Sequence, residues 1–317
     1  MAKEIKVKNT KHLEFDVAMQ YFQSDNIQQA EMICRQIVSQ QTDNADALHL
    51  LGMIAYQRGQ YDDAIYNIRK AVQINPNNPI YCYNLGLSYA SKGDMTAAVE
   101  NFKKAIELNP GYVEAYNNLG LALADKGRLD EAIENYKKAL MLNPGYVNAY
   151  NNMGIALADK GMIDEAIELF EKALELNPYD VETHANLGMT YLFAKNFEKG
   201  WKEYEWRIKI VTAPPLKKPK WDGSFLGGKV ILVHSEQGYG DIIQFVRYLP
   251  LLHEFGAKKV LFKAQTGLDG VLRESDLNAE ILDSSTPEEN LEYDTNIHLL
   301  SLPRIFKTNL ENIPFKQ

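Results

Sequence analysis

The 317-residue chain carries 34 Lys and Arg against 42 Asp and Glu, a formal net charge of −8, with 45% hydrophobic residues. That acidic balance argues against nucleic acid as the main partner, and no apolar run approaches the roughly 18 residues a membrane span needs. The opening MAKEIKVKNTKHLEF is charged throughout and is no signal peptide, so a cytoplasmic protein with room for about two domains is expected.

Residues 1–10 read as a basic, frayed start, and helix pairs follow to about Val211. The plainest are residues 111–144 and 145–178, which match at 25 of 34 positions. A period of about 34 residues signals stacked helix hairpins. Tyr116, Leu119, Gly120 and Leu123, then Tyr150, Met153, Gly154 and Leu157, fall on one face of a first helix. Gly127 and Gly161 stand where a helix end needs a left-handed residue. Ala132, Tyr136 and Ala139, and in the next copy Ala166, Phe170 and Ala173, line the inner side of a second helix, which Pro144 or Pro178 closes. Upstream, Leu51 to Pro76 and Leu85 to Pro110 repeat the pattern. A weaker first copy holds Ala18, Tyr21, Ala30, Cys34 and Ile37, and a last one holds Leu187, Gly188, Tyr191, Gly200 and Tyr204. Divergent end copies suit capping repeats. Cys34 and Cys82 sit at packing positions and read as reduced core thiols, and the histidines show no metal-ligand spacing.

From Thr212 to Gly228 proline and glycine dominate, which reads as a linker. Beyond it the pattern alternates: a strand at 229–234, a glycine turn, a helix at 241–255 with Pro250 inside, a strand at 258–264, a helix from 267, and short strands at 279–284 and 296–302. Strand, helix, strand at this spacing belongs to a parallel sheet. The turn lacks the third glycine of a dinucleotide fingerprint and has no phosphate-loop Lys-Ser/Thr, so no cofactor and no metal are expected.

The Leu-Gly, Gly, Ala, aromatic, Ala and Pro spacing resembles the tetratricopeptide repeat family. PKWDGSFLGGKVILVHSEQGYGDIIQFVRYLPLL, following EYEWR, resembles the junction of bacterial repeat proteins with a glycosyltransferase-like domain related to O-linked N-acetylglucosamine transferases and lipopolysaccharide heptosyltransferases. Together these imply a mostly α chain: a right-handed superhelix of about six helix hairpins (1–211), a linker (212–228) and a small, incomplete α/β Rossmann-like domain (229–317). The heptosyltransferase resemblance makes Asp241, after Gly240, a candidate catalytic base in the turn of Glu236, Gln237, Gly238 and Gly240. Asp241 reads more simply as a helix cap. A single lobe, with nothing after it to grip a diphosphate, is expected to have no transferase activity of its own.

Asparagine recurs at one first-helix position, as Asn84, Asn118, Asn152 and Asn186. An amide donates and accepts, so such a ladder can hold a peptide backbone whatever its side chains, and the resembled transferases use one. It is also a residue that well-formed repeats carry without binding anything. Glu114, Asn117, Asn148 and Asn151 nearby are not basic, against a clamp for acidic C-termini. The expected function is a scaffold that binds other proteins or peptides in a concave groove. A sugar-nucleotide-dependent glycosyltransferase, of which this chain holds only the repeats and first part of the catalytic region, is the alternative. Self-association through partly apolar array ends also stays open.

Overall fold

The computed structural model describes residues 14–210, 217–236 and 238–314. The basic start, Gln237 and the first part of the linker lie outside the described residues. The chain divides into two compact units, Met1–Met162 and Ile163–Gln317.

The first unit holds helix α1 (14–23), α2 (Ile27–Gln40), α3 (Ala45–Gln57), α4 (Tyr61–Ile74), α5 (Pro79–Lys92), α6 (Met95–Leu108), α7 (Val113–Asp125), α8 (Leu129–Leu142) and α9 (Val147–Asp159). Successive helices pair as hairpins, with α9 opening a fifth. In the second helices Ala64, Ala98 and Ala132 are fully buried, and one turn later Ile68, Phe102 and Tyr136 reach into the partner helix. They reach glycine. A Cβ added to Gly52, Gly86 or Gly120 would lie 2.4 Å from Ile68, 2.7 Å from Phe102 or 2.5 Å from Tyr136. The missing side chain therefore makes room for a large one opposite, which is why Leu-Gly and the aromatic position recur together.

The hairpin turns need a left-handed residue. Gly59, Gly93, Gly127 and Gly161 supply it at φ between 72° and 91°. The two outer copies keep the same backbone without glycine, through Asp25 (φ 61°) and Lys195 (φ 62°). The turn geometry thus persists where its sequence signal has gone. Cys34 and Cys82 are buried, and burial pushes the Cys34 thiol up to about 12.

The second unit opens with α10 (Ile163–Leu176), α11 (Val181–Phe193), α12 (Phe197–Tyr204) and a 3-10 turn over Glu205–Lys209. α11 and α12 approach closely, because the small residues now face backbone. A Cβ on Gly188 would lie 2.4 Å from the Tyr204 nitrogen, and one on Gly200 2.9 Å from that of Leu192. Four parallel strands follow: β1 (Val230–His234), β2 (Lys259–Lys263), β3 (Glu280–Leu282) and β4 (Thr295–His298), in the order β3-β2-β1-β4. Ile231, Val233, Phe262, Ile281 and Ile297 pack on one face with Ile242, Leu249, Leu252, Leu272 and Leu302. Leu232, Leu261, Leu282 and Tyr293 form a smaller cluster on the other.

Two sequence expectations change here. The helix expected at 241–255 is broken into α13 (Tyr239–Phe245), a 3-10 turn (Val246–Tyr248) and α14 (Leu251–Glu254), the break falling at Pro250, which has no N–H to continue the ladder. The strand expected through 296–302 ends at His298. Leu299–Ser301 turn into α15 (Leu302–Ile305), burying Leu299, Leu300 and Leu302 together as no alternating strand could. Residues 217–228 also join this unit. Lys220 bridges to Asn296, the Trp221 N–H donates to the Asn296 carbonyl at 2.8 Å, and Trp221 and Leu226 are buried.

Candidate functional site

The asparagine positions lie on the first helices of the hairpins, and α3, α5, α7 and α9 pack side by side. α5 places Asn84, α7 places Asn118 and α9 places Asn152. Asn84 is 8% exposed, and its amide donates to Nε2 of His49 at 2.7 Å. Burial holds the His49 imidazole neutral, down at about 4, so Nε2 is free to accept. Asn118 donates to the Tyr83 hydroxyl at 2.8 Å and accepts from the Asn117 amide at 3.3 Å; Asn152 donates to Asn117 Oδ1 at 3.0 Å. A continuous chain therefore runs Tyr83, Asn118, Asn117, Asn152. It fixes which way each amide points, and leaves Asn118 and Asn152, both only part-buried, a second N–H and carbonyl lone pairs for something else.

Tyr83 packs against Tyr112 with ring centroids 4.8 Å apart and planes tilted by 37°. Burial, then the neighbouring Tyr112, Tyr146 and Glu114, push its phenol up, so it keeps its proton. Having accepted from Asn118, it can donate outward. Asn186 lies in α11 of the other unit, part-buried, its backbone carbonyl taking the Thr190 hydroxyl at 2.8 Å.

The turn after β1 is built differently from what its glycines suggest. Glu236 is buried and held by both forks of Arg207, Nε to Oε2 at 3.0 Å and Nη2 to Oε1 at 2.8 Å, while Nη1 donates to the Tyr204 carbonyl at 3.1 Å. With both oxygens engaged, Glu236 locks α12 to the sheet. Gly238 takes φ 101° just before α13, and a Cβ there would lie 3.0 Å from Asp241 Oδ2. Asp241 is exposed in the first turn of α13, and Gly240 lies beside open space. The turn thus brings Gly238 and Asp241 together and commits Glu236 to Arg207. Gln237 lies outside the described residues.

Family profiles described as TPR repeat match residues 52–93, 86–127 and 122–161, and others described as tetratricopeptide repeat match 147–180 and 169–202. The crystal structure of MamA is 30% identical, with 51% of this chain and 95% of that chain covered and a TM-score of 0.49. The chain belongs to the tetratricopeptide repeat family. YrrB, described as a TPR protein with an unusual peptide-binding site, is 24% identical over 62% of this chain and 97% of that chain, TM-score 0.49. Pseudomonas aeruginosa pilF shares the fold at 16% identity, TM-score 0.57, over 64% of this chain and 92% of that chain. No curated protein sequence matches the chain.

Within these tetratricopeptide repeats, the sequence reading passed over Tyr83, Tyr112 and His49. For His49 and Tyr83 the signal was the 35-residue offset from Asn84 and Asn118, visible only once neighbouring first helices are known to touch. Arg207, the partner of Glu236, had none: the two are 29 residues apart on either side of the proline-rich segment. Among the described residues, no helix is long and apolar enough to cross a membrane.

Proposed function

We propose that the repeats are a protein-interaction scaffold whose first helices hold an extended peptide segment by its backbone. The observation that carries this is the chain Tyr83, Asn118, Asn117, Asn152, which orients amides with unused donors and acceptors along α5, α7 and α9. Backbone N–H and C=O groups of an extended segment are the complementary chemistry, and they are offered by any sequence. Peptides selected from a random display library on the purified chain test it. The double substitution Asn118→Ala/Asn152→Ala removes two bonds of about 0.5 to 1.5 kcal/mol each, which weakens selected peptides roughly five- to hundredfold. Undiminished binding by a double variant of unchanged helix content would refute the ladder.

The second reading is a sugar-nucleotide transferase part, Rossmann-like in its parallel strand order and acting through Asp241. It is favoured by the turn that sets Gly238 and Asp241 at the C-terminal end of β1, where sheets of this kind bind ligands. Titration calorimetry with uridine diphosphate sugars tests it. Micromolar binding that Asp241→Asn changes would favour this reading over the scaffold.

A further inference from the structure

The stripe that carries the ladder carries more than amides. At i, i+4, i+7 and i+11 the helices present Ile80, Asn84, Leu87 and Ser91 on α5, Glu114, Asn118, Leu121 and Asp125 on α7, and Asn148, Asn152, Ile155 and Asp159 on α9. Beside the asparagine row thus runs an apolar row, Leu87, Leu121 and Ile155. Leu121 is 47% exposed, and Leu87 and Ile155 are half-buried. Core positions on the same helices, such as Leu85, Leu119 and Leu157, are 4, 4 and 5% exposed. The apolar row is therefore not core left over at the surface, but a separate line one turn along from the amides.

The charge on the stripe has one sign. Glu114, Asp125 and Asp159 are exposed, and none of the twelve positions is Lys or Arg. Asp125 and Asp159 are the last residues of α7 and α9, where the negative end of the helix dipole disfavours a carboxylate. The lysines that follow do not answer them. Lys126 reaches back to Thr96 at 2.7 Å, and Lys160 to Asp130, each on the second helix of the preceding hairpin. The same misplacement thus occurs in two consecutive repeats, with its cations directed elsewhere.

We propose that the segment held on this face is one in which an apolar residue recurs every third position with lysine or arginine between. The proposal rests on the scaffold reading and names its partner class. The spacing follows from geometry: neighbouring packed helices lie roughly 8–10 Å apart, and an extended polyproline II segment rises about 3.1 Å per residue and points every third side chain the same way. One repeat is therefore crossed in about three residues. An apolar side chain placed on Leu121 has its successor three residues on at Leu87 or Ile155. The cations between them meet Glu114 at one end of the stripe and Asp125 and Asp159 at the other, where they relieve the unfavourable helix ends. An acidic segment would meet like charge at both ends.

The test uses the full chain and three labelled twelve-residue peptides, repeating Leu-Ser-Lys, Leu-Ser-Ser and Leu-Ser-Glu, with fluorescence anisotropy at low and high salt. The Leu-Ser-Lys peptide is expected to bind tightest, with affinity falling as salt rises. Asp125→Asn/Asp159→Asn should weaken it about three- to tenfold and leave Leu-Ser-Ser unchanged. Equal binding of all three peptides, abolished by Asn118→Ala/Asn152→Ala, would overturn the basic-partner assignment while sparing the scaffold reading. No binding by any would remove both. Tighter binding of Leu-Ser-Glu would overturn the proposal, as would a dimer, seen by sedimentation, that Leu121→Ser dissolves and that assigns the face to a second copy of the chain.

Discussion

Adding one methyl group at Gly188 should damage this protein far more than adding it at Gly120, although both glycines fill the same repeat position. At Gly120 the three atoms nearest the new Cβ all belong to the Tyr136 ring, at 2.5, 2.8 and 2.9 Å. The ring is a side chain and can slide by about an ångström. Overpacking of this kind costs about 1–3 kcal/mol, and alanine returns about 1 kcal/mol of helix propensity, which leaves a net loss of about 1 kcal/mol. At Gly188 the Cβ meets the Tyr204 nitrogen at 2.4 Å, its Cα at 2.7 Å and the Glu203 carbonyl carbon at 2.9 Å. Backbone cannot rotate aside, so α12 must move as a body. That movement strains the bond from Trp201 Nε1 to the Thr308 carbonyl at 2.9 Å and the approach of Gly200 to Leu192. A loss of about 3 kcal/mol or more is expected. All three tryptophans, Trp201, Trp206 and Trp221, lie in the second unit, so urea unfolding followed by tryptophan fluorescence reads Gly188→Ala directly, while far-UV circular dichroism covers Gly120→Ala. Tyr136→Leu should rescue Gly120→Ala in a double-mutant cycle, whereas no side-chain truncation should rescue Gly188→Ala. A Gly188→Ala midpoint no lower than that of Gly120→Ala would refute the reasoning.

Lys195→Gly should stabilise the second unit by about 1 kcal/mol, since φ 62° is strained for a residue with a Cβ; an unchanged midpoint would show the turn relaxes. Arg207→Ala should lower stability by about 3–5 kcal/mol by stranding the Glu236 carboxylate in the interior, while Arg207→Met/Glu236→Met should lie within about 1 kcal/mol of the parent; equal losses would place the effect in packing rather than charge. Burial pushes the His234 imidazole down from 6.5 to about 4. The folded state therefore keeps it neutral while the unfolded chain takes up a proton, so its contribution is present above pH 6.5 and is lost as pH falls toward 4, on the order of 3 kcal/mol. His234→Phe should flatten that part of the fluorescence-detected pH profile, and an identical slope in the variant would exclude His234 as its source.

The hairpins were legible because each repeat states its packing locally. Gly120 and Tyr136 lie 16 residues apart in one hairpin and carry complementary volumes, so a sequence pattern captures a real contact. Sheet strands showed for the same reason, through the apolar run of Val230 to Val233. What stayed hidden depends on partners far along the chain. Asn84 looks like every other ladder residue, yet His49 in the preceding repeat takes its amide and removes it from the exposed row. Glu236 looks like part of a glycine-rich turn, yet Arg207 holds both its oxygens. Trp221 sits among prolines and glycines that suggest a tether, but its indole is core. No local pattern distinguishes these cases, because the deciding atom belongs to another element.

The short pairing of residues 219–221 with β4 bears on how this sheet can grow. Parallel strands end in an unpaired edge that invites another chain to add a strand. On the β4 side, Pro219 has no N–H to offer, and the Trp221 N–H is already spent on Asn296. On the opposite side β3 is only three residues long and is flanked by the Lys259–Glu280 ion pair. The β3 flank is thus short, and the β4 flank is already taken by the chain's own segment. A strand seeking a place beside β4 would first have to pull a buried tryptophan into water, which makes this edge resistant to the sheet-to-sheet association that small parallel sheets otherwise risk.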